Sequence, residues 1–192
     1  MTARTIAVVT AGLSQPSSTR LLADRLTEAT RAALASDEVT AEVIELRDIA
    51  VDITNGMITG VQSPRLREVL DTVTRADGLI AVTPVFTASY SGLFKSFFDV
   101  LDKEALEGKP VLLAAERHSL ALDFALRPLF AYLRAMPVAT GVYAASSDWG
   151  GALQERVERA AKELAALVAA APEAKPDDEF TSVPFEQLLA GE

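Results

Sequence analysis

The chain has 192 residues, 49% of them apolar and 23% charged, which suits one large packed core and is too apolar for a disordered protein. It holds no cysteine, which excludes disulfides, thiolate metal sites and cysteine nucleophiles. A formal charge of -9 argues against a nucleic-acid or anionic-membrane surface, and the first residues, MTARTIAVVTAG, have too short an apolar run for a signal peptide or a membrane span, so a cytoplasmic protein is expected.

Thr5 to Ala11 reads as a strand that runs into GLSQPSST, followed by a helix from about Thr19 to Ser36 with Leu21, Leu22, Leu26 and Ala29 on its inner face. Ser14, Gln15, Ser17, Ser18 and Thr19 gather five hydrogen-bonding side chains at a helix N-terminus, where free N-H groups and the helix dipole favour a phosphate. Arg20 offers a charge-assisted contact beside them. Capping the helix would need only one of these hydroxyls. The loop has neither GxGxxG nor GKS or GKT, so it is neither a dinucleotide fingerprint nor a Walker-type site.

Glu42 to Leu46 reads as a second strand, and residues 47–63, with Gly56 and Gly60, are long enough to predict a surface or lid segment near the site. Pro64 opens a helix whose buried face is Leu66, Val69, Leu70 and Val73. Gly78 to Thr83 is the short apolar run of a doubly covered strand, stopped by Pro84. Val85 to Ser91 keeps neither period and is rich in Ser, Thr and Tyr. After Gly92, Leu93, Phe94, Phe97, Phe98 and Leu101 recur at helical spacing. The segment between is either a plain connector or a hydroxyl-lined ledge for a flat, polar-edged ligand.

Val111 to Ala115 is a fourth strand. In the helical stretch Ser119 to Arg134, Pro128 has no N-H to give the carbonyl of Phe124, which predicts a kink or a widened turn. Val138 to Ala144 is a fifth strand and Leu153 to Val168 an Ala-rich helix. That leaves one domain over residues 1–171 and a tail, 172–192, expected to dock late or on a neighbouring subunit. Five strands alternating with helices imply an α/β, flavodoxin-like doubly wound five-stranded parallel sheet of order 2-1-3-4-5, with its switch point between strands one and three. Both hydroxyl-rich loops follow those strands, which describes a mononucleotide site.

The runs TPVFTASYSGLFKSFFDVLDKEALEGKPVLL and HSLALDFALRPLFAYLRA, and more loosely LSQPSSTRLL, resemble the NADPH-dependent FMN reductases of flavodoxin-like fold. The likeness is strongest to the reductases that supply reduced flavin to alkanesulfonate and related two-component monooxygenases, and it extends from the first strand to about Trp149. It implies that Ser14, Ser18, Thr19 and Arg20 hold the FMN phosphate, and that Pro84, Val85, Phe86, Tyr90, Ser91 and Gly92 line the isoalloxazine, partly through main chain. It implies NADPH or NADH as hydride donor, a flavin-dependent monooxygenase as partner, and no catalytic side chain or metal, because the cofactors carry the chemistry. A flavodoxin-like FMN-binding electron carrier and an NAD(P)H quinone or azo reductase are the alternatives on the same fold.

One departure stands out. The family usually carries a Thr-Gly-Gly-Thr or similar loop after the fourth strand, whereas here Ala115 passes straight to Glu116. The connection is several residues short: either the loop is truly short, which would weaken flavin binding, or residues are missing there, the favoured reading, which predicts a chain break at that peptide. His118 is expected on the surface or at a cap, Trp149 at an interface or in local packing, and Lys95 on a solvated face. Phe94, Phe97 and Phe98 are expected in the core or an interface. Phe124, Phe130 and Tyr132 would suit an isologous interface, predicting a homodimer or homotetramer.

Overall fold

β1 (Arg4–Thr10), β3 (Gly78–Phe86) and β5 (Pro110–Glu116) are almost unbroken buried runs, as strands covered on both faces must be. In the computed structural model, which describes residues 3–34, 38–116, 119–144 and 151–171, they lie parallel and adjacent. β2 (Val39–Glu45) flanks β1, β6 (Met136–Pro137) follows β5 at the far edge, and the sheet order is β2-β1-β3-β5-β6. Alternate side chains go to opposite layers. Ala7, Val9, Leu79, Ala81, Val111 and Leu113 share one core with α3 (Pro64–Arg75), α4 (Gly92–Asp99) and the helical stretch after β5. Ile6, Val8, Ile80, Val82, Leu112 and Ala114 share the other with α1 (Ser18–Leu34) and α7 (Gly151–Ala170). This is the flavodoxin-like doubly wound arrangement.

The fifth strand is split. β6 (Met136–Pro137) and β7 (Val142–Ala144) both pair with β5, and the residues between leave the ladder. Side chains claim their polar groups instead. Glu163 accepts from both Thr140 N and Thr140 Oγ1 at 2.7 Å, and Arg127 Nη1 donates to Val138 O at 3.1 Å.

Residues 47–63 run along the surface, as expected, but as a helix rooted in the core rather than as a lid. A 3-10 turn, Leu46–Ile49, leads into α2 (Ala50–Thr59), and Leu46, Ile49 and Ile53 are buried in the core. The apolar residues of this stretch recur at helical spacing, so burial holds it down. After β5 come α5 (Ser119–Ala121), a π-helical segment Leu122–Leu126 and α6 (Arg127–Tyr132), with Pro128 in the first turn of α6. The widened turn expected from Pro128 is there, because a π-turn spares the missing N-H. Phe130 is not at the surface: it is 0% exposed and packs on Phe98 with ring centroids 4.9 Å apart, whereas Phe124 and Tyr132 are exposed.

β5 runs through the Ala115–Glu116 peptide, with Ala115 opposite Tyr143 and Glu116 opposite Ala144. His118, Trp149 and the tail, 172–192, lie outside the described residues. Among the described residues no helix is long and apolar enough to cross a membrane.

Candidate cofactor site

The loops after β1 and β3 meet because their strands are neighbours: Ala11 N donates to Val82 O at 3.1 Å just below both. Gly12 begins the first loop. A Cβ there would run into the Ser17 hydroxyl and lie 3.2 Å from Thr19 Cβ, so the loop can curl onto the helix only with glycine at this position. Ser17 caps α1, its Oγ accepting from Arg20 N at 3.2 Å and its carbonyl from Leu21 N at 3.0 Å. The N-H groups of Ser18 and Thr19, in the first turn, have no intrahelical acceptor. Among the described residues the Ser14 and Ser18 hydroxyls make no hydrogen bond, and Thr10 Oγ1, at the end of β1, is buried without a partner. A cup of unspent donors at the N-terminus of a long helix fits a phosphate group.

The second loop is a hairpin. β3 continues past Pro84 to Phe86, and β4 (Ser89–Tyr90) folds back antiparallel, Val85 opposite Tyr90 and Phe86 opposite Ser89. Thr87 and Ala88 form the turn at φ 49° and 64°, the left-handed pair that a two-residue hairpin of type I′ needs. Such turns normally carry Asn-Gly, so Thr87-Ala88 carries no hairpin signal, and the two side-chain-bearing residues hold strain. Thr83 Oγ1 fixes the base, donating to Pro84 O at 2.9 Å and accepting from Ser91 N at 3.1 Å. Ser91 Oγ in turn accepts from Phe94 N at 3.1 Å and caps α4.

These bonds sort the residues singled out from sequence. Ser18 and Thr19 open α1 and Ser14 lies on the loop that leads into it, while Pro84, Val85 and Phe86 lie on the neighbouring strand end. Ser91 is buried with its hydroxyl spent, and Gly92 is exposed at the start of α4. Tyr90 lines a groove of about 580 Å3 on the α4 and α6 side, with Phe98, Phe124, Pro128 and Tyr132. Arg20 points elsewhere: Nε donates to Asp24 Oδ1 at 2.8 Å and Nη1 to Glu45 Oε1 at 2.6 Å. The hydrogen bond to Asp24, with both carboxylate charges, raises its pKa further and keeps it charged.

Two residues were missed. Glu116 ends β5 opposite Pro84 and accepts from Thr19 Oγ1 at 3.4 Å, putting a carboxylate between the two loops. Arg47, on the 3-10 turn, donates from Nη1 to Ser14 O at 3.0 Å. Neither contact joins residues close in sequence, and only the pairing of β2, β1, β3 and β5 brings them together.

The family model for NADPH-dependent FMN reductase matches residues 4–150. The chain is similar to the FMN reductase (NADPH) of Pseudomonas aeruginosa, at 37% identity over 84% of this chain and 91% of that one. It is also similar to the NADH-dependent FMN reductase SfnE of Pseudomonas putida, at 36% identity over 86% and 92%. Among solved structures, an oxidoreductase from Corynebacterium diphtheriae superposes with a TM-score of 0.86 at 47% identity, covering 88% of this chain and 99% of that one. With a family match that spans both loops and the strands between them, the chain belongs to the NADPH-dependent FMN reductase family.

Proposed function

We propose that this protein reduces FMN with NADPH or NADH and releases the reduced flavin to a separate flavin-dependent monooxygenase. The observation that carries the reading is the meeting of the loops after β1 and β3 above neighbouring parallel strands, one a cup of unspent donors and the other a main-chain ledge. Bound there, FMN supplies an acceptor at N5 for hydride from the nicotinamide C4. The chain's work is binding and alignment, worth several orders of magnitude when reacting atoms are held in contact.

In this reading Ser14, Ser18, Thr19 and the first-turn N-H groups of α1 take the phosphate, and Pro84, Val85 and Phe86 hold the ring edge through backbone. Ser91 acts by position: it caps α4 and ties the hairpin to Thr83. Phe86, half-exposed at the hairpin, offers apolar surface to the ring or to the nicotinamide. No side chain is asked to move a proton. Leu120, Phe124 and Tyr132 form an exposed apolar face beside Tyr90, which supports a homodimer or homotetramer.

The test is oxidation of NADPH and of NADH by the purified protein, followed at the nicotinamide absorbance with and without FMN. FMN-dependent oxidation is expected. No oxidation of either nicotinamide with FMN present would overturn the reading, and transfer to a monooxygenase is checked by coupled turnover of a flavin-free monooxygenase.

A further inference from the structure

The loop that would hold the phosphate is almost untethered. Between Gly12 and Pro16 no backbone-to-backbone hydrogen bond forms among the described residues, so the peptide groups that shape the cup are held by something else. For Ser14 that tie is Arg47. Nη1 donates to the Ser14 carbonyl at 3.0 Å, and the Gln15 amide, oriented to accept, meets the same nitrogen at 3.2 Å.

Arg47 is itself mounted rigidly. It sits on the 3-10 turn between Leu46 and Ile49, which are 0% and 3% exposed and rooted in the core. Glu45 locks the other side of the guanidinium, Oε2 lying 2.7 Å from Nη2, while Oε1 of the same carboxylate takes Arg20. Arg47 Nε is buried without a hydrogen-bond partner. Its nearest carboxylate, Asp48, is 3.5 Å away. Asp24, Glu45 and Asp48 outnumber the two guanidinium groups, so the cluster offers no net positive charge to draw in an anion. Its use is geometric.

We infer that Arg47 is a positioning residue that sets the Ser14–Gln15 segment of the phosphate cup, and thereby lets the enzyme distinguish FMN from riboflavin, which lacks the phosphate. The inference rests on the proposed flavin site. A planar fork can hold Ser14 and Glu45 together, whereas a lysine, as a point charge on a flexible stem, cannot.

The test compares kcat/KM for FMN with that for riboflavin, and Kd for each by flavin fluorescence, in wild type, Arg47→Ala and Arg47→Lys. Arg47→Ala is expected to lower the FMN values roughly tenfold or more, the loss typical of a charged hydrogen bond, and to leave riboflavin unchanged, collapsing the ratio. Arg47→Lys is expected to fall close to Arg47→Ala. Equal losses for both flavins, or an unchanged ratio, would mean a merely structural role and overturn the inference. A wild-type ratio in Arg47→Lys would show that charge, not geometry, matters and would overturn it too, as would a wild type that treats the flavins alike. If Arg47→Ala does not fold, the Arg47→Lys ratio decides alone. A wild type that binds neither flavin defeats the proposed site itself, a result distinct from these.

Discussion

Thr19 and Glu116, 97 positions apart, are joined by a hydrogen bond from Oγ1 to Oε2 at 3.4 Å. Because Glu116 is also opposite Pro84 in the ladder, one carboxylate stands where the α1 N-terminus, the β3 hairpin and the end of β5 converge. A fixed negative charge there opposes an anionic ligand. Glu116→Gln keeps the acceptor for Thr19 and removes the charge, so FMN is expected to bind more tightly. A unit charge a few ångströms away across solvated space is worth about 1 kcal/mol, roughly fivefold in Kd. Fluorescence titration of FMN into both proteins checks this, and weaker binding by the variant would show that the carboxylate supports the site.

The hairpin turn stores strain that can be released. Ala88 sits at φ 64°, where a Cβ is crowded and glycine is not. Ala88→Gly is expected to stabilise the fold by roughly 1 kcal/mol, or about 2–4 °C in Tm for a chain of this size. A lower Tm would mean that the Ala88 methyl makes a contact worth more than the strain.

Much of this arrangement was legible in the chain because period and punctuation agreed. The apolar runs of β1, β3 and β5 and the helix start signals around Ser17, Pro64 and Gly92 fixed the alternation, from which the sheet order follows. The hairpin at 85–90 was not legible, because Thr87 and Ala88 are poor candidates for left-handed backbone and only the surrounding structure imposes it. In the segment after β2 the surface position was legible but the helix was not, because its glycines mask the spacing of Leu46, Ile49 and Ile53. Of the two arginines, Arg20 lies beside the loop in sequence and Arg47 does not, yet Arg47 is the one that reaches it. Which one reaches the loop is decided by Asp24, one helical turn after Arg20, which turns that side chain along the helix surface.

At the opposite end of the sheet, Lys109 Nζ donates to Thr74 O at 3.1 Å and also to Ala76 O, closing the C-terminus of α3. Burial pushes its pKa below the ordinary 10.5, against the pull of Asp77. The folded pKa therefore lies below the unfolded one, and between the two the unfolded chain binds more protons. Stability from this group rises with pH in that window, and the penalty is fully present below the folded pKa. Relative to Lys109→Met, which does not titrate, wild type is expected to gain stability as pH climbs toward 10.5 in urea melts. A difference that is flat or falls with pH would refute it.

Phe124 and Phe130 lie six residues apart on either side of Pro128, and the widened turn sends them to opposite surroundings. Phe130 is 0% exposed, with rings of Phe98 and Phe94 at 4.9 and 6.3 Å, while Phe124 is 77% exposed. Phe130→Ala empties a core position and is expected to cost roughly 3–5 kcal/mol in chemical denaturation. Phe124→Ser changes a side chain that is mostly exposed, so its unfolding free energy as a monomer should stay within about 0.5 kcal/mol of wild type. Its effect is expected on assembly. If the exposed face of Leu120, Phe124 and Tyr132 joins subunits, light scattering should show a smaller species for Phe124→Ser than for wild type at equal concentration. Equal masses for the two proteins would place the subunit contact elsewhere, and a large loss of monomer stability would mean that Phe124 packs within its own chain.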